Sequence, residues 1–428
     1  MRFNKENTVR SFLALMVVGT LGFLVGCGGG GTPAGVPVPP PVGQNTVPIV
    51  VDGGPLSPPQ YVNGAFVSVN ICVPGTSTCQ SVDHILVDTG SMGLRVLQTA
   101  LTQVTLTPLN DGNGDTLNDC SQFLDGSYLW GTVAPADVKM ASEVASSTSI
   151  QLIATPTAYS IPGSCSTNGT GTNEDTQATL GANGILGVGP EPFDCGLACD
   201  PSQGSLPTPP PYFLCSTAIG CQPTAVSCGT LCGEPSTSPN QQVTNPVFNF
   251  TGDNNGVILE LPAVADATAT VTGTMIFGIG TQSNNALGSA TVFTFEPGTD
   301  LFTTTYNGQA YSNSFIDSGS NGLFFQDVSI AVCSGNLTPF YCPPSNLSGL
   351  TAANTGANGS TNTVTFGVDN TLNLFTNNPN DFAFSNLGGP LSGQFDWGLP
   401  FFYGRNVYTA IDGATAPSGV PAGPFWAY

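Results

Sequence analysis

One eight-residue pattern occurs twice in the chain, as Val87-Asp88-Thr89-Gly90-Ser91-Met92-Gly93-Leu94 and as Ile316-Asp317-Ser318-Gly319-Ser320-Asn321-Gly322-Leu323. Both read apolar residue, Asp, Thr or Ser, Gly, Ser, any residue, Gly, Leu. An isolated Asp-Thr-Gly carries little information, because all three are ordinary turn residues. Two copies with matched flanks point to a chain built from two related halves. Strand-like runs precede each copy: residues 66–71 and 85–87 before the first, residues 301–306, an Asn307-Gly308 turn and residues 315–316 before the second. Asn-Gly is a hairpin signal, so each copy sits where a strand ends in a tight loop.

From Tyr61 onward the chain is written in short alternating apolar runs rich in Thr, Val, Phe and Tyr, separated by Gly, Asn and Pro, which is the pattern of β-strands. No long amphipathic helix is evident, and 428 residues leave room for two domains of ordinary size. The paired loops in this setting resemble those of the two-lobed, pepsin-like aspartic peptidases, in which each lobe gives one Asp-Thr/Ser-Gly loop to a shared site. The resemblance covers most of residues 61–412. It implies an all-β, two-lobed fold with an interlobe cleft, and Asp88 and Asp317 as the catalytic pair. Two carboxylates close enough to share a proton cannot both ionise cheaply, so one holds the proton while the other accepts one from an attacking water. The resemblance further implies that the Thr89 and Ser318 hydroxyls tie the loops together. Gly90 and Gly319 permit close backbone approach, and Ser91 and Ser320 bond the outer carboxylate oxygens.

Other family segments follow in order. Residues 120–133 with residues 136–140 look like the flap hairpin, with Phe123, Asp125, Gly126, Ser127, Tyr128 and Trp130 as its characteristic residues. Phe123 stands where the family has a tyrosine, so Tyr128 or Trp130 supplies the polar hydrogen bond, or the flap works differently. Gly184-Ile185-Leu186-Gly187-Val188-Gly189 resembles the segment that braces the first loop from behind, and the stretch 395–412 resembles its second-lobe counterpart. Asp396 and Arg95 depart from the family pattern: an apolar residue is usual at the first and an aromatic at the second. The sequence is also similar to an uncharacterised family of bacterial lipoproteins that share the Asp-Thr-Gly-Ser-x-Gly-Leu-Arg loop and an ending like Gly423-Pro424-Phe425-Trp426-Ala427-Tyr428.

The N-terminus reads as an export signal: Arg2, Lys5 and Arg10, then an apolar run over residues 12–25 that is too short to span a membrane. Leu24-Val25-Gly26-Cys27 looks like a bacterial lipoprotein cleavage site, which would leave Cys27 lipidated. The expected organisation is a signal over residues 1–26, a Gly/Pro-rich tether over 27–60, an N-terminal lobe over 61–190, a Cys/Pro-rich insertion over 191–245 and a C-terminal lobe over 246–428. The formal charge is −21, and beyond the signal only Arg95, Lys139 and Arg405 are basic. Such a chain is repelled by nucleic acid and anionic headgroups, which excludes nucleic-acid binding. The expected setting is the bacterial cell envelope, lipid-anchored to the outer membrane and facing the periplasm or the surface.

Thirteen cysteines less Cys27 leave an even number, as expected in an oxidising compartment. Short spacings pair Cys72 with Cys79 and Cys333 with Cys342; Cys120 with Cys165 is a further pairing. Cys195, Cys199, Cys215, Cys221, Cys228 and Cys232 are expected to pair among themselves; with no His among them, zinc is disfavoured. His84 is the only histidine, and no Gly-x-Ser-x-Gly elbow accompanies it, so a Ser/His/Asp scheme is disfavoured. Asp111-Gly112-Asn113-Gly114-Asp115 opens like a calcium loop, but Thr116 and Gln122 stand where Gly and Glu belong, so it reads as a polar turn. The leading reading is an exported, membrane-anchored aspartic endopeptidase: a monomer, without cofactor or metal, that acts on polypeptides. The alternatives are a non-catalytic pepsin-like binding or adhesive lipoprotein, and a structural surface β-protein with no cleft.

Overall fold

The computed structural model describes residues 44–428 apart from 112, 155–159, 167–168, 201–209, 216–231, 234, 236 and 297–298. The export signal, Cys27 and the tether as far as residue 43 lie outside the described residues, as do Cys221 and Cys228.

The fold is all-β and two-lobed, with a cleft where the two repeated loops meet. In each half a strand leads into one copy of the repeated loop, and the next strand doubles back beside a bracing strand. In the first half Cys79–Asp88 runs parallel to Gly184–Val188, and Met92–Leu97 lies antiparallel on its other side. In the second half Gln309–Ile316 runs parallel to Gln394–Trp397, and Leu323–Phe325 lies antiparallel. The duplicated sequence is thus a duplicated topology. Asn307 and Gly308 make the expected tight turn, with φ of 50° and 76° and Tyr306 opposite Gln309. Both central residues are left-handed, as the commonest two-residue hairpin turn requires.

The strand Thr46–Asp52 corrects the expectation that residues 27–60 are wholly tether. It pairs on one edge with Val271–Phe277 of the second half and on the other with Gly64–Cys72 of the first, so it joins the two lobes within one fifteen-stranded sheet. Val47, Ile49 and Val51 alternate and are buried, and that alternation is the physical reason. The surrounding Gly and Pro obscure it in the sequence. A second correction concerns residues 247–261, where Phe248 to Phe250 and Gly256 to Leu261 flank Gly252-Asp253-Asn254-Asn255 in the pattern of a hairpin. Pro246–Asn249 is instead a short 3-10 helix, started by Asn245, whose side chain accepts from the Val247 N–H. The strand Gly256–Leu261 pairs elsewhere, with Val271–Phe277 and Arg405–Ala410. The Asn/Thr-rich region forms an edge hairpin, Leu347–Thr355 with Thr361–Val368, and a seven-residue helix, Thr371–Asn377.

The main core runs through both halves, from Ile49, Val67 and Leu186 to Ile316, Phe395 and Trp397. Phe395 stacks on Phe325 at 4.9 Å and on Trp397 at 4.3 Å, directly behind the second loop. Each ring of this kind contributes about 1.5–3 kcal/mol by burial, so the second loop rests on a stiff aromatic floor. Cys72 with Cys79, Cys120 with Cys165 and Cys333 with Cys342 are disulfides as expected, and Cys195 pairs with Cys199 and Cys215 with Cys232. The described parts of the insertion are built into the first lobe. Tyr212–Cys215 extends the sheet beside Thr116–Gln122, and Cys232–Gly233 pairs outside it.

Candidate active site

The two loops meet face to face and exchange the same bonds in both directions. The Thr89 hydroxyl donates to the Ile316 carbonyl at 2.9 Å and accepts from the Ser318 N–H at 2.9 Å. The Ser318 hydroxyl donates to the Val87 carbonyl at 2.8 Å and accepts from the Thr89 N–H at 3.1 Å. Both side chains are fully buried. Each loop also holds its own carboxylate. Gly90 N–H donates to Asp88 Oδ1 at 2.9 Å and Ser91 Oγ to Asp88 Oδ2 at 2.7 Å. In the second loop Gly319 N–H donates to Asp317 Oδ1 at 2.7 Å, and Ser320 Oγ lies 2.8 Å from Asp317 Oδ2.

This arrangement brings Asp88 and Asp317 together. A Cβ placed on Gly90 would lie 2.7 Å from the Asp317 carboxyl carbon, and one on Gly319 would lie 2.7 Å from that of Asp88. Only glycine leaves room for the opposite carboxyl at these two positions. Burial pushes the Asp317 carboxyl well above the usual carboxylate range, helped by the charges of Asp88 and Asp396 and by a hydrogen bond with Asp88. The pair therefore keeps a proton to higher pH than a lone exposed carboxyl would. The pair can act as acid and base on one reacting group between them.

Above the pair lies the hairpin of Thr116–Gln122 and Tyr128–Met140, its tip closed by the Phe123 N–H donating to the Ser127 carbonyl. Asp125 shapes the tip, accepting from the Ser127 N–H at 3.0 Å and the Ser127 hydroxyl at 2.7 Å, while Gly126 takes a left-handed φ of 83°. Phe123, Leu124 and Asp125 line the cavity of about 250 Å³ that Asp88 and Asp317 floor. Tyr128 and Trp130 do not line it, which leaves the second of the two expectations, a flap that works differently. Alternate strand residues face opposite sides. Tyr128 and Trp130 face a cluster with Phe213 and the Cys120 to Cys165 bridge, while Leu129 shares the cleft-side cluster against which Phe123 packs.

Besides Met92 of the first loop, the cavity has residues that neither loop contains: Arg95, Asp194 and Phe315. Arg95 is 2 % exposed, and its Nη2 lies 2.9 Å from Asp194 Oδ2 and 3.5 Å from Asp119 Oδ2. Asp194 also accepts from the Tyr212 hydroxyl at 2.5 Å, and that hydroxyl accepts from the Val243 N–H at 2.6 Å. Arg95 thus makes a buried ionic junction that fastens the 191–245 segment behind the first loop. Arg95 was visible in the sequence, but its partner, 99 positions away, had no local signal. Past Met92 and Asp194, which line both, a larger cavity of about 1030 Å³ adjoins the first.

The residues set aside in the sequence have structural places. His84 Nε2 lies 3.5 Å from Asp52, and its ring packs on Phe66 with centroids 5.4 Å apart, away from the cavity. The Asp52 hydrogen bond raises its pKa, against the effect of burial. Asp111 accepts from the N–H groups of Asn113 and Asp115, both at 2.8 Å, which makes the segment a polar turn. Among the described residues no group of three His, Cys, Asp or Glu side chains is placed to hold a metal ion.

The family model described as "Protein of unknown function (DUF3443)" matches residues 41–428. No curated protein matches the sequence. Among solved structures the chain is similar to the aspartic proteinase from Irpex lacteus, at 14 % identity over 89 % of this chain and 96 % of that one, with a TM-score of 0.46.

Proposed function

The chain belongs to the DUF3443 family, and we propose that it is an aspartic endopeptidase, exported and held at the cell envelope by a lipid on Cys27. The observation that carries the reading is the pair itself: two carboxyls brought together by reciprocal loop bonds, with burial beside Asp88 raising the pKa of Asp317. Asp88, ionised, takes a proton from the attacking water, and Asp317 donates to the carbonyl oxygen as charge develops there. The peptide carbon is attacked by water directly, so no bond to the protein forms. Thr89 and Ser318 keep the two carboxyl planes aligned, and Phe123 covers the site from the hairpin tip. The adjoining cavities favour an extended polypeptide over a compact small molecule. Signal, tether and anchor are read from the sequence, as is a monomer acting on polypeptides in the envelope.

A statine-type peptide, whose hydroxyl occupies the place of the attacking water, tests this directly. Calorimetry should show tight binding to the native chain and a loss of at least about 100-fold in Asp88→Asn and in Asp317→Asn. Equal binding by all three proteins would contradict the reading. One observation favours the second reading, a lipoprotein that binds peptides without cleaving them: neither Tyr128, with its hydroxyl, nor Trp130, with its indole N–H, lines the cavity. On that reading unmodified peptides bind to the native chain and are recovered intact.

A further inference from the structure

The two loops match bond for bond until their serines. Ser91 Oγ bonds Asp88 Oδ2 and, among the described residues, no second carboxyl. Ser320 Oγ lies 2.8 Å from Asp317 Oδ2 and 2.6 Å from Asp396 Oδ2. A hydroxyl has one proton and can donate to one of these carboxyls only. The contact with the other must therefore carry a proton from that carboxyl to Ser320 Oγ. Where that carboxyl is Asp396, its protonation sets the direction of the Ser320 hydroxyl.

Asp396 is 1 % exposed, on the strand Gln394–Trp397 between Gln309–Ile316 and Leu323–Phe325. Its neighbours Phe395 and Trp397 point into the aromatic core, and its Oδ1 has no hydrogen-bond partner. On one flank Leu323, Phe324 and Phe325 present only apolar side chains, and on the other Asn313, Ser314, Phe315 and Ile316 carry no charge. The ionisable groups that face it are Asp317 and Asp88. Among the described residues no cation answers an ionised Asp396, which favours the neutral acid. Burial pushes its carboxyl up to about 7.

We propose that Asp396 is a positioning residue for the carboxyl pair: as the neutral acid it donates to Ser320 Oγ and turns that hydroxyl onto Asp317, and as the anion it takes the hydroxyl back. The inference rests on the aspartic-peptidase reading of the site. When Asp396 ionises, its proton leaves to solvent and the Ser320 proton only changes direction. Asp317 then loses a donor and gains a negative neighbour, and both changes disfavour its own ionisation. The shared proton survives to higher pH than it would beside an apolar residue, which extends the working range toward neutrality.

The test is the pH dependence of kcat/KM for the full chain, with Asp396→Asn, Ser320→Ala and the double variant beside it. Asn has the same shape, donates to Ser320 at every pH and never ionises. The alkaline limb should move down by about one pH unit or more in Asp396→Asn, with the acid limb in place. In the Ser320→Ala background the same substitution should move it by less than half as much. A cleaving Asp396→Asn protein with an unmoved alkaline limb would overturn the proposal. If the native chain cleaves nothing, the peptidase reading falls separately. Carboxyl ¹³C NMR titration of the Asp-labelled chain then decides the relay: an Asp317 midpoint lowered in Asp396→Asn supports it, and an unchanged midpoint contradicts it.

Discussion

Thr89 and Ser318 each hold the other's backbone: the Ser318 N–H donates to Thr89 Oγ1 at 2.9 Å, and the Thr89 N–H donates to Ser318 Oγ at 3.1 Å. Thr89→Val keeps the shape but strands the Ser318 N–H and the Ile316 carbonyl in a dry interior. We expect a loss of about 1–3 kcal/mol for each buried group left unpaired. Denaturant unfolding measures this, and Thr89→Ser, which keeps the hydroxyl, should restore most of it.

Arg95 and Asp194 form the second junction behind the first loop. Arg95→Met removes the cation that faces both Asp194 and Asp119 in the interior. Breaking a buried pair from one side costs about 3–5 kcal/mol, because the remaining charge is uncompensated. The destabilisation should be largest at neutral pH and shrink as Asp194, held up to about 6 mainly by burial, takes up a proton. Equilibrium unfolding at two pH values reads this difference.

Stability of the whole chain should fall as pH rises from the ordinary carboxylate range toward neutrality. Burial, with the charges of Asp300 and Asp412, pushes Glu191 up to about 7, and burial pushes Asp396 up to about 7 and Asp194 up to about 6. A group whose folded pKa is raised binds more protons folded than unfolded. Its contribution is complete below the unfolded value of 4.5 for Glu191 or 3.8 for the aspartates and is lost as pH passes the folded value. Thermal scans should show Tm declining across this window, with a shallower decline in Glu191→Gln. A Tm that rises across it would contradict the assignment.

The export reading makes its own prediction. Cells grown with labelled palmitate should yield labelled protein from the native gene and none from Cys27→Ser, which should appear in the soluble fraction. Labelling of both proteins would place the lipid elsewhere.

The meeting of the two loops was legible because its signals are local. Each Asp-Thr/Ser-Gly-Ser loop carries its carboxylate, its N–H donor and its hydroxyl within four consecutive residues, so two copies announce two lobes. What depends on a distant partner was not legible. Val47, Ile49 and Val51 are a strand only because Val271–Phe277 lies beside them. Tyr128 and Trp130 are polar in composition, yet strand alternation turns them away from the cleft, and only the hairpin's register reveals that. Asp396 stood out as a polar residue in an apolar place, but its bond to Ser320 spans 76 positions.

Whether Asp88 and Asp317 work together on a peptide bond is decided by peptide-library cleavage with the full, disulfide-formed chain from about pH 3 to 7. Asp88→Asn and Asp317→Asn are assayed beside it. The native chain should cleave, with activity lost in both variants and circular dichroism unchanged. Cleavage that survives in either variant, or a folded native chain that leaves every peptide intact across the range, would contradict it.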